Sequence, residues 1–314
     1  MLTSIFSSPY ALISAITRGL GMNDFSTVLT IGNFDGIHIG HRHLIQTTID
    51  LARSWAGRAV AMTFTPHPRQ FFHPVPHFFL HPEAVKVKLL ASLGLDEVLY
   101  LPFDKIYRLS PEAFFKTVLL PIEPAAIVLG NNFFFGANKA GDIRLLRQYC
   151  AQNDIALHSL VMEPYLGLPV SSSRIRTALQ NGMIAEANAM LLDPYTLYGR
   201  VEKGAQRGHT LGFATANIHA PDQVIPKRGA YITSVYIDRE PTPYRAVTAV
   251  TQTPTFGQVE TVVETHILDF CRDIYGHDIR VQFDAFLRDE RVFPSKEALI
   301  AQLKLDCEKA KKYI

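Results

Sequence analysis

The stretch V-L-T-I-G-N-F-D-G-I-H-I-G-H, residues 28–41, ends an apolar run in three glycines, an aspartate and two histidines three apart. Glycines where a strand turns into a helix let the backbone approach a phosphate, and the helix start favours negative charge. His38 and His41 then have three uses open to them. Protonated or simply donating, they stabilise charge that builds on a phosphate under attack. They could instead form an H-x-x-H metal pair, or be structural side chains satisfied at the turn. Metal is the weakest of these, because no H-E-x-x-H and no cysteine supplies further ligands.

Other stretches carry residues of the same chemical interest. In V-S-S-S-R-I-R (170–176), serines before a helix leave N–H groups free, and arginine forks suit a polyphosphate; taken alone, the stretch is better explained by an ordinary N-capped helix. The run Y-G-R-V-E-K-G-A-Q-R-G-H-T-L-G-F-A-T-A-N-I (198–218) offers spaced glycines and then Thr215 and Asn217. Hydroxyl and amide oxygens suit Mg²⁺ bound with ATP phosphates, while the glycines alone indicate a tight turn between strands. Glu264 lies within the apolar V-V-E-T-H-I-L-D-F, either as an outward-facing strand residue or as a positioned base. In F-F-H-P-V-P-H-F-F-L-H-P (71–82), His73, His77 and His81 are four apart, but Pro74 and Pro76 preclude the helix that would align them. A mobile aromatic loop or a surface flap is the better expectation there.

These residues need a scaffold, and the first half supplies an alternating one. Strands are expected at 27–32, 58–64, 96–103, 125–130 and 155–161, with helices at 41–56, 83–93, 111–120 and 142–151. Strand–helix alternation predicts a doubly wound parallel sheet, with ligands beyond the carboxyl ends of its strands. After a short helix ended by Pro194 the strands become close-set, which predicts an antiparallel barrel. The final segment has helical spacing, with Ser295 as N-cap and Glu297 in the first turn. The break falls at about 186–195.

The 314 residues are 47% apolar with a formal net charge of +2, enough for two cores and too balanced for a nucleic-acid footprint. Three scattered cysteines argue against a disulfide framework and fit a reducing compartment. The N-terminus lacks a basic leader, which suggests a short helix or a poorly ordered start. No apolar run reaches membrane-span length. The expectation is a cytoplasmic enzyme of small-molecule substrates, with no nucleic-acid or membrane partner and protein partners undetermined.

Four motifs occur in order: G-N-F-D-G-I-H-I-G-H, T-F-T-P-H-P, L-G-N-N-F-F-F-G-A-N-K-A-G-D and V-S-S-S-R-I-R. Together they resemble the FMN adenylyltransferase module of the prokaryotic bifunctional riboflavin kinase/FAD synthetase family, a Rossmann-like H-x-G-H nucleotidyltransferase fold. Residues 196–314, with P-K-R-G-A-Y, P-T-F, D-I-Y-G and F-L-R-D-E, resemble its riboflavin kinase module. The resemblance implies an adenylyltransferase domain over 1–188 and a kinase barrel with a C-terminal helix over 189–314. It implies that ATP phosphorylates riboflavin to FMN, and that a second ATP adenylylates FMN to FAD with release of pyrophosphate.

By that resemblance His38 and His41 stabilise the α-phosphate, and Gly32, Asn33, Phe34, Asp35 and Gly36 shape the nucleotide turn. Ser171, Ser172, Arg174 and Arg176 hold the triphosphate, and Asn132 contacts the flavin substrate. In the second module Gly204 and Gly208 shape the phosphate loop, Thr215 and Asn217 bind Mg²⁺ with ATP, Glu264 is the base, and Arg288 approaches the flavin. The chain departs from the family pattern at Ala214, where proline is usual, and at Ala249, Thr251 and Thr253, where asparagine, glycine and arginine are. Two alternatives follow: an FAD synthetase with a weak or inactive kinase domain, and a non-catalytic flavin-binding regulatory protein.

Overall fold

A computed structural model of the chain describes residues 26–162, 164–203, 213–219, 222–255 and 258–313. The expected leading helix, and with it Gly204 and Gly208, lies outside the described residues. Contacts divide the chain into two compact units, Met1–Val75 with Ala84–Val170, and Pro76–Glu83 with Ser171–Ile314.

The first unit is built on β1 (Thr27–Ile31), β2 (Arg58–Thr65), β3 (Glu97–Pro102), β4 (Pro124–Gly130) and β5 (Ala156–Leu160). They form one parallel sheet in the order β3-β2-β1-β4-β5, so the strand order reverses between β1 and β4. Helices on both faces explain why β1, β2 and β4 read as near-continuous apolar runs rather than alternating ones. Leu29, Val60, Met62, Ile127 and Leu129 are wholly buried on one face, and Val28, Ala59, Ala126 and Val128 on the other. Each of the larger side chains contributes about 1.5–3 kcal/mol by leaving water.

Helix α1 (Ile39–Ser54) buries Leu44, Ile45, Thr48 and Ala52, one helical stripe, against this sheet. Helices α2 (Glu83–Ser92) and α3 (Ile143–Ala151) also match expectation. The expected helix at 111–120 does not run through. It is α-helical only over Pro111–Phe114, widens to a π turn over Phe115–Leu119 and tightens over Leu120–Ile122. Thr117 Oγ1 donates into the ladder at the Ala113 carbonyl, at 2.7 Å, and Pro121 has no N–H to extend it.

The second unit is a closed six-stranded barrel preceded by helices α4 (Ser172–Gln180) and α5 (Ile184–Met190). Its strands are β6 (Thr196–Glu202), β7 (Ala216–His219), β8 (Gly229–Ile237), β9 (Tyr244–Thr255), β10 (Gln258–Ile267) and β11 (Asp278–Asp289). They pair antiparallel in the order β6-β7-β10-β9-β8-β11 and close back on β6. Tyr231, Thr233 and Val235 of β8, Ala246, Thr248 and Val250 of β9, and Val263, Thr265 and Ile267 of β10 are buried at alternate positions. The period of two puts Val247, Ala249, Glu264 and His266 on the opposite, outer face. Helix α6 (Lys296–Lys312), capped by Ser295 Oγ on the Ala298 N–H at 3.2 Å, covers part of that face through Ala310 and Cys307.

The segment 76–83 is not the surface flap its composition suggested. Phe78 and Leu80 are buried, Phe79 bridges in parallel to Gln223, and the Val224 N–H donates to the Phe79 carbonyl at 2.8 Å. Two adjacent phenylalanines and a leucine are too apolar to leave in water when the second unit offers them a groove.

Candidate active sites

The histidine stretch leaves β1 at Ile31 and enters α1 at Ile39 through a turn of uncommon backbone geometry. Phe34, Gly36 and Ile37 have φ of +49°, +85° and +37°. Such angles cost a side-chain-bearing residue of order 1 kcal/mol, and full burial of the Phe34 and Ile37 side chains offsets the cost. Asp35 is also buried, Asn33 is exposed, and the Gly32 N–H is tied to the Met62 carbonyl at 3.0 Å.

His38 is the N-cap of α1: its Nδ1 accepts from the His41 N–H at 3.2 Å. An accepting Nδ1 carries no proton, so the neutral ring bears its hydrogen on Nε2. The two imidazoles stack with centroids 3.6 Å apart and planes 16° from parallel, and Phe34 meets His41 edge-on. Burial holds the His38 pKa down at about 4. Burial, and then the neighbouring His38, hold that of His41 well below the ordinary value. Both rings are therefore neutral donors near pH 7. The buried His41 Nδ1 has no hydrogen-bond partner among the described residues, which leaves donor or acceptor capacity for a ligand.

Gly40 lies in close contact with its neighbours. A Cβ there would overlap Met162 Cε and sit 3.3 Å from the His38 ring. Met162, just beyond β5, also has its sulfur 3.3 Å from where a Cβ on Gly130 would be, and Asn132 Oδ1 lies 2.9 Å from that point. The ends of β1 and β4 thus meet His38, Met162 and Asn132 at the reversal of strand order, where sheets of this kind bind ligands. No motif had pointed to Met162; a lone methionine after a strand reads as core filling.

The serine–arginine stretch begins α4, where Ser171 Oγ accepts from the Arg174 N–H at 3.2 Å. Arg174 is ion-paired with Glu186 at 2.8 Å, and Arg176 is buried with its Nε donating to the Phe78 carbonyl at 2.8 Å. The Arg176 guanidinium also lies 4.0 Å from the Phe78 ring centre, so this side chain fastens the 76–83 segment.

On the barrel, register collects what the sequence had scattered. Asn217 pairs with Glu264, Glu264 with Ala249, Ala249 with Ala230, and Ala230 with Arg288. One row across five strands therefore carries an amide and a carboxylate at one end and a guanidinium at the other, with alanines between. Glu264 and Arg288 stand three strand spacings apart, about 14 Å. A cleft of about 350 Å³ covers this row, lined by Thr215, Glu264, His266, Ala249 and Arg288, with Leu303 and Cys307 of α6 as its far wall. Arg288 is held by Asp306 of α6 at 2.8 Å, and Asp306 also accepts from Gln302 Nε2 at 2.9 Å. His266 and Asp306 were not singled out from the sequence. His266 was discoverable there, since it is two residues from Glu264 and so shares its face.

A hydroxyl, a carboxylate and a flat apolar floor make a cleft able to take a planar ligand at one end and a phosphate at the other. Among the described residues no cluster of three His, Cys, Asp or Glu could hold a metal by itself. The stacked neutral histidines at a helix start can offer donors to an anion in a different way.

A family model for FAD synthetase matches residues 22–174, and one for riboflavin kinase matches residues 191–314. The bifunctional riboflavin kinase/FMN adenylyltransferase of Listeria monocytogenes is 32% identical over 90% of this chain and 91% of its own. That of Escherichia coli K12 is 33% identical over 89% and 90%. A solved structure from Streptococcus pneumoniae, described as a macrolide-efflux protein, superposes with a TM-score of 0.85 at 30% identity, covering 93% of this chain and 96% of that one. Its described activity stays with that protein; no helix among the described residues here is long and apolar enough to cross a membrane. The two family matches, in this order and over nearly the whole length, show that the chain belongs to the bifunctional riboflavin kinase/FMN adenylyltransferase family.

Proposed function

We propose that this bifunctional riboflavin kinase and FMN adenylyltransferase divides its two reactions at residues 188/189, with the histidine turn serving the adenylyl transfer and the outer-face row of the barrel serving the kinase. In the first reaction an FMN phosphate oxygen attacks the α-phosphorus of ATP, the α–β bridging oxygen departs with pyrophosphate, and FAD forms. His38 donates through Nε2–H and His41 stands against it, so charge on the α-phosphate is met by donors already stripped of water. Gly32, Asn33, Phe34, Asp35 and Gly36 shape the nucleotide turn, and Asn132 contacts the flavin substrate. Ser171 and Ser172 offer the N–H groups of a helix start to phosphate. Arg174 and Arg176 are assigned to the triphosphate by family pattern, with Glu186 and the Phe78 carbonyl as their partners within the chain.

In the second reaction Glu264 takes the proton from the riboflavin 5′-hydroxyl as that oxygen attacks the γ-phosphorus, and ADP leaves. Thr215 and Asn217 are proposed to hold the Mg²⁺ of ATP, which supplies neutralisation of phosphate charge when bound. The oxygens fit, since Mg²⁺ keeps most of its shell as water and phosphate and needs one or two protein ligands. Gly204 and Gly208 are assigned to the phosphate loop by family pattern alone, and Arg288 to the flavin end of the cleft. We place the enzyme in the cytoplasm, in keeping with three unpaired cysteines.

The observation that carries this reading is the pairing of Asn217 and Glu264 at one end of a covered row, separate from the stacked histidines. Purified protein with riboflavin, ATP and Mg²⁺, its flavins separated by chromatography, is expected to give FMN and then FAD. Unchanged riboflavin, with no FAD even when FMN is supplied, would overturn it. FAD from FMN without FMN from riboflavin would favour the second reading, a weak kinase, for which the alanine at 249 beside Glu264 is the specific observation.

A further inference from the structure

His266 shares the outer face of β10 with Glu264 and lines the same cleft, yet nothing above gives it a task. Its Nδ1 lies 2.8 Å from the carbonyl oxygen of Ala214. A carbonyl cannot donate, so the hydrogen in this bond belongs to His266 and the ring must carry it on Nδ1. The ring of Phe213 packs edge-on against the same imidazole, with centroids 5.2 Å apart. His266 thereby grips two consecutive residues, Phe213 by its ring and Ala214 by its backbone, and the next residue is Thr215. The pairing of β7 with β10 begins only at Ala216, opposite Thr265. Thr215 is thus one residue beyond the last ladder pair, where no strand register fixes it. Position 214 has no ring of its own to restrict the backbone there.

We propose that His266 is a positioning residue for the phosphate end of the kinase cleft: through Nδ1–H on the Ala214 carbonyl it fixes the turn that presents Thr215. The inference rests on the reading of this cleft as the kinase site. It assigns to His266 no proton transfer and no contact with substrate.

Side-chain geometry supplies a discriminating test, because an asparagine amide nitrogen falls near the imidazole Nδ1 and a glutamine amide nitrogen near Nε2. His266→Ala is expected to raise the KM for Mg–ATP in riboflavin phosphorylation about three- to tenfold, the worth of one oriented hydrogen bond, with a smaller change in kcat. His266→Asn should restore the KM to within about twofold of wild type, while His266→Gln should resemble the alanine variant. Ala214→Pro in the His266→Ala background, which stiffens the same turn by another route, should recover part of the loss. Formation of FAD from supplied FMN is measured on every variant as the check on folding.

An unchanged KM in His266→Ala, or equal rescue by Asn and Gln, overturns the proposal, as does parallel loss of FAD formation. If wild-type protein makes no FMN from riboflavin, the kinase reading fails first and carries this inference with it. Wild-type FMN formation with an indifferent His266 refutes the inference alone.

Discussion

In the proposed reactions the histidine turn and the barrel row both place donors against a phosphate, and they do so by opposite means. At the turn, position comes from close approach: three residues with positive φ, a glycine packed against Met162 and the His38 ring, and two rings stacked 3.6 Å apart. On the barrel, position comes from register. Asn217, Glu264 and Arg288 are far apart in sequence and share a row only because four strand pairs align them. A site made by close approach is displaced when an atom is added. A site made by register tolerates side-chain change in the row and depends on what fixes its ends.

The largest expected effect tests whether the two are separate. His41→Ala should lower FAD formation by at least about 10²-fold while FMN formation from riboflavin stays near wild type; Glu264→Ala should do the reverse by a similar factor. Equal loss of both activities in either variant ends the comparison.

Next in size is Gly40→Ala. Its Cβ would push aside Met162 Cε, the end of a flexible side chain, and would press on the His38 ring from 3.3 Å. A shift of a few tenths of an ångström in that ring is expected to lower FAD formation about three- to tenfold. Met162→Ala, by emptying that space, should recover a large part of the loss in the double variant. A double variant no better than Gly40→Ala would show that Met162 does not set the position of the histidines.

These cases mark what could be read from the chain. Strand–helix alternation, the change to close-set strands and the Ser295 cap depend on local chemistry and period, and the structure carries each of them. The H-x-G-H stretch announced its phosphate chemistry through family likeness. The neutrality of the rings did not show, because it follows from burial that only the fold creates. The 76–83 segment was misleading for a related reason. The sequence shows an arginine and a proline-broken aromatic loop, but only the fold shows that each is the other's partner.

Acid tests the buried pair directly. The unfolded chain protonates His38 below about pH 6.5, whereas the folded chain resists until about pH 4. The unfolded state binds more protons across that window, so this group lowers stability as pH falls through it and has no effect above it. Its share at pH 4.5 is about 2–3 kcal/mol. His38→Asn, which keeps an accepting N-cap, should show a shallower fall of the urea midpoint between pH 7.5 and 4.5. Identical slopes would mean that the ring is hydrated in solution.

The smallest effect concerns the row itself. Ala249 lies directly across from Glu264 on one side, as Asn217 does on the other, and Ala230 and Arg288 continue the row beyond it. The carboxylate has an amide-bearing neighbour on one flank and a methyl group on the other. Because Ala249 is on the outer face and lines the cleft, a longer side chain there enters the cleft and leaves the barrel interior unfilled and undisturbed. Ala249→Asn adds a donor within reach of the directly opposite residue, and cross-strand pairs of this kind contribute about 0.2–1 kcal/mol. The expected result is a rise of about two- to fivefold in kcat/KM for riboflavin phosphorylation, with FAD formation unchanged. If the variant loses activity, the alanine is there to admit the flavin, and the row is a floor for the ring before it is a support for the base.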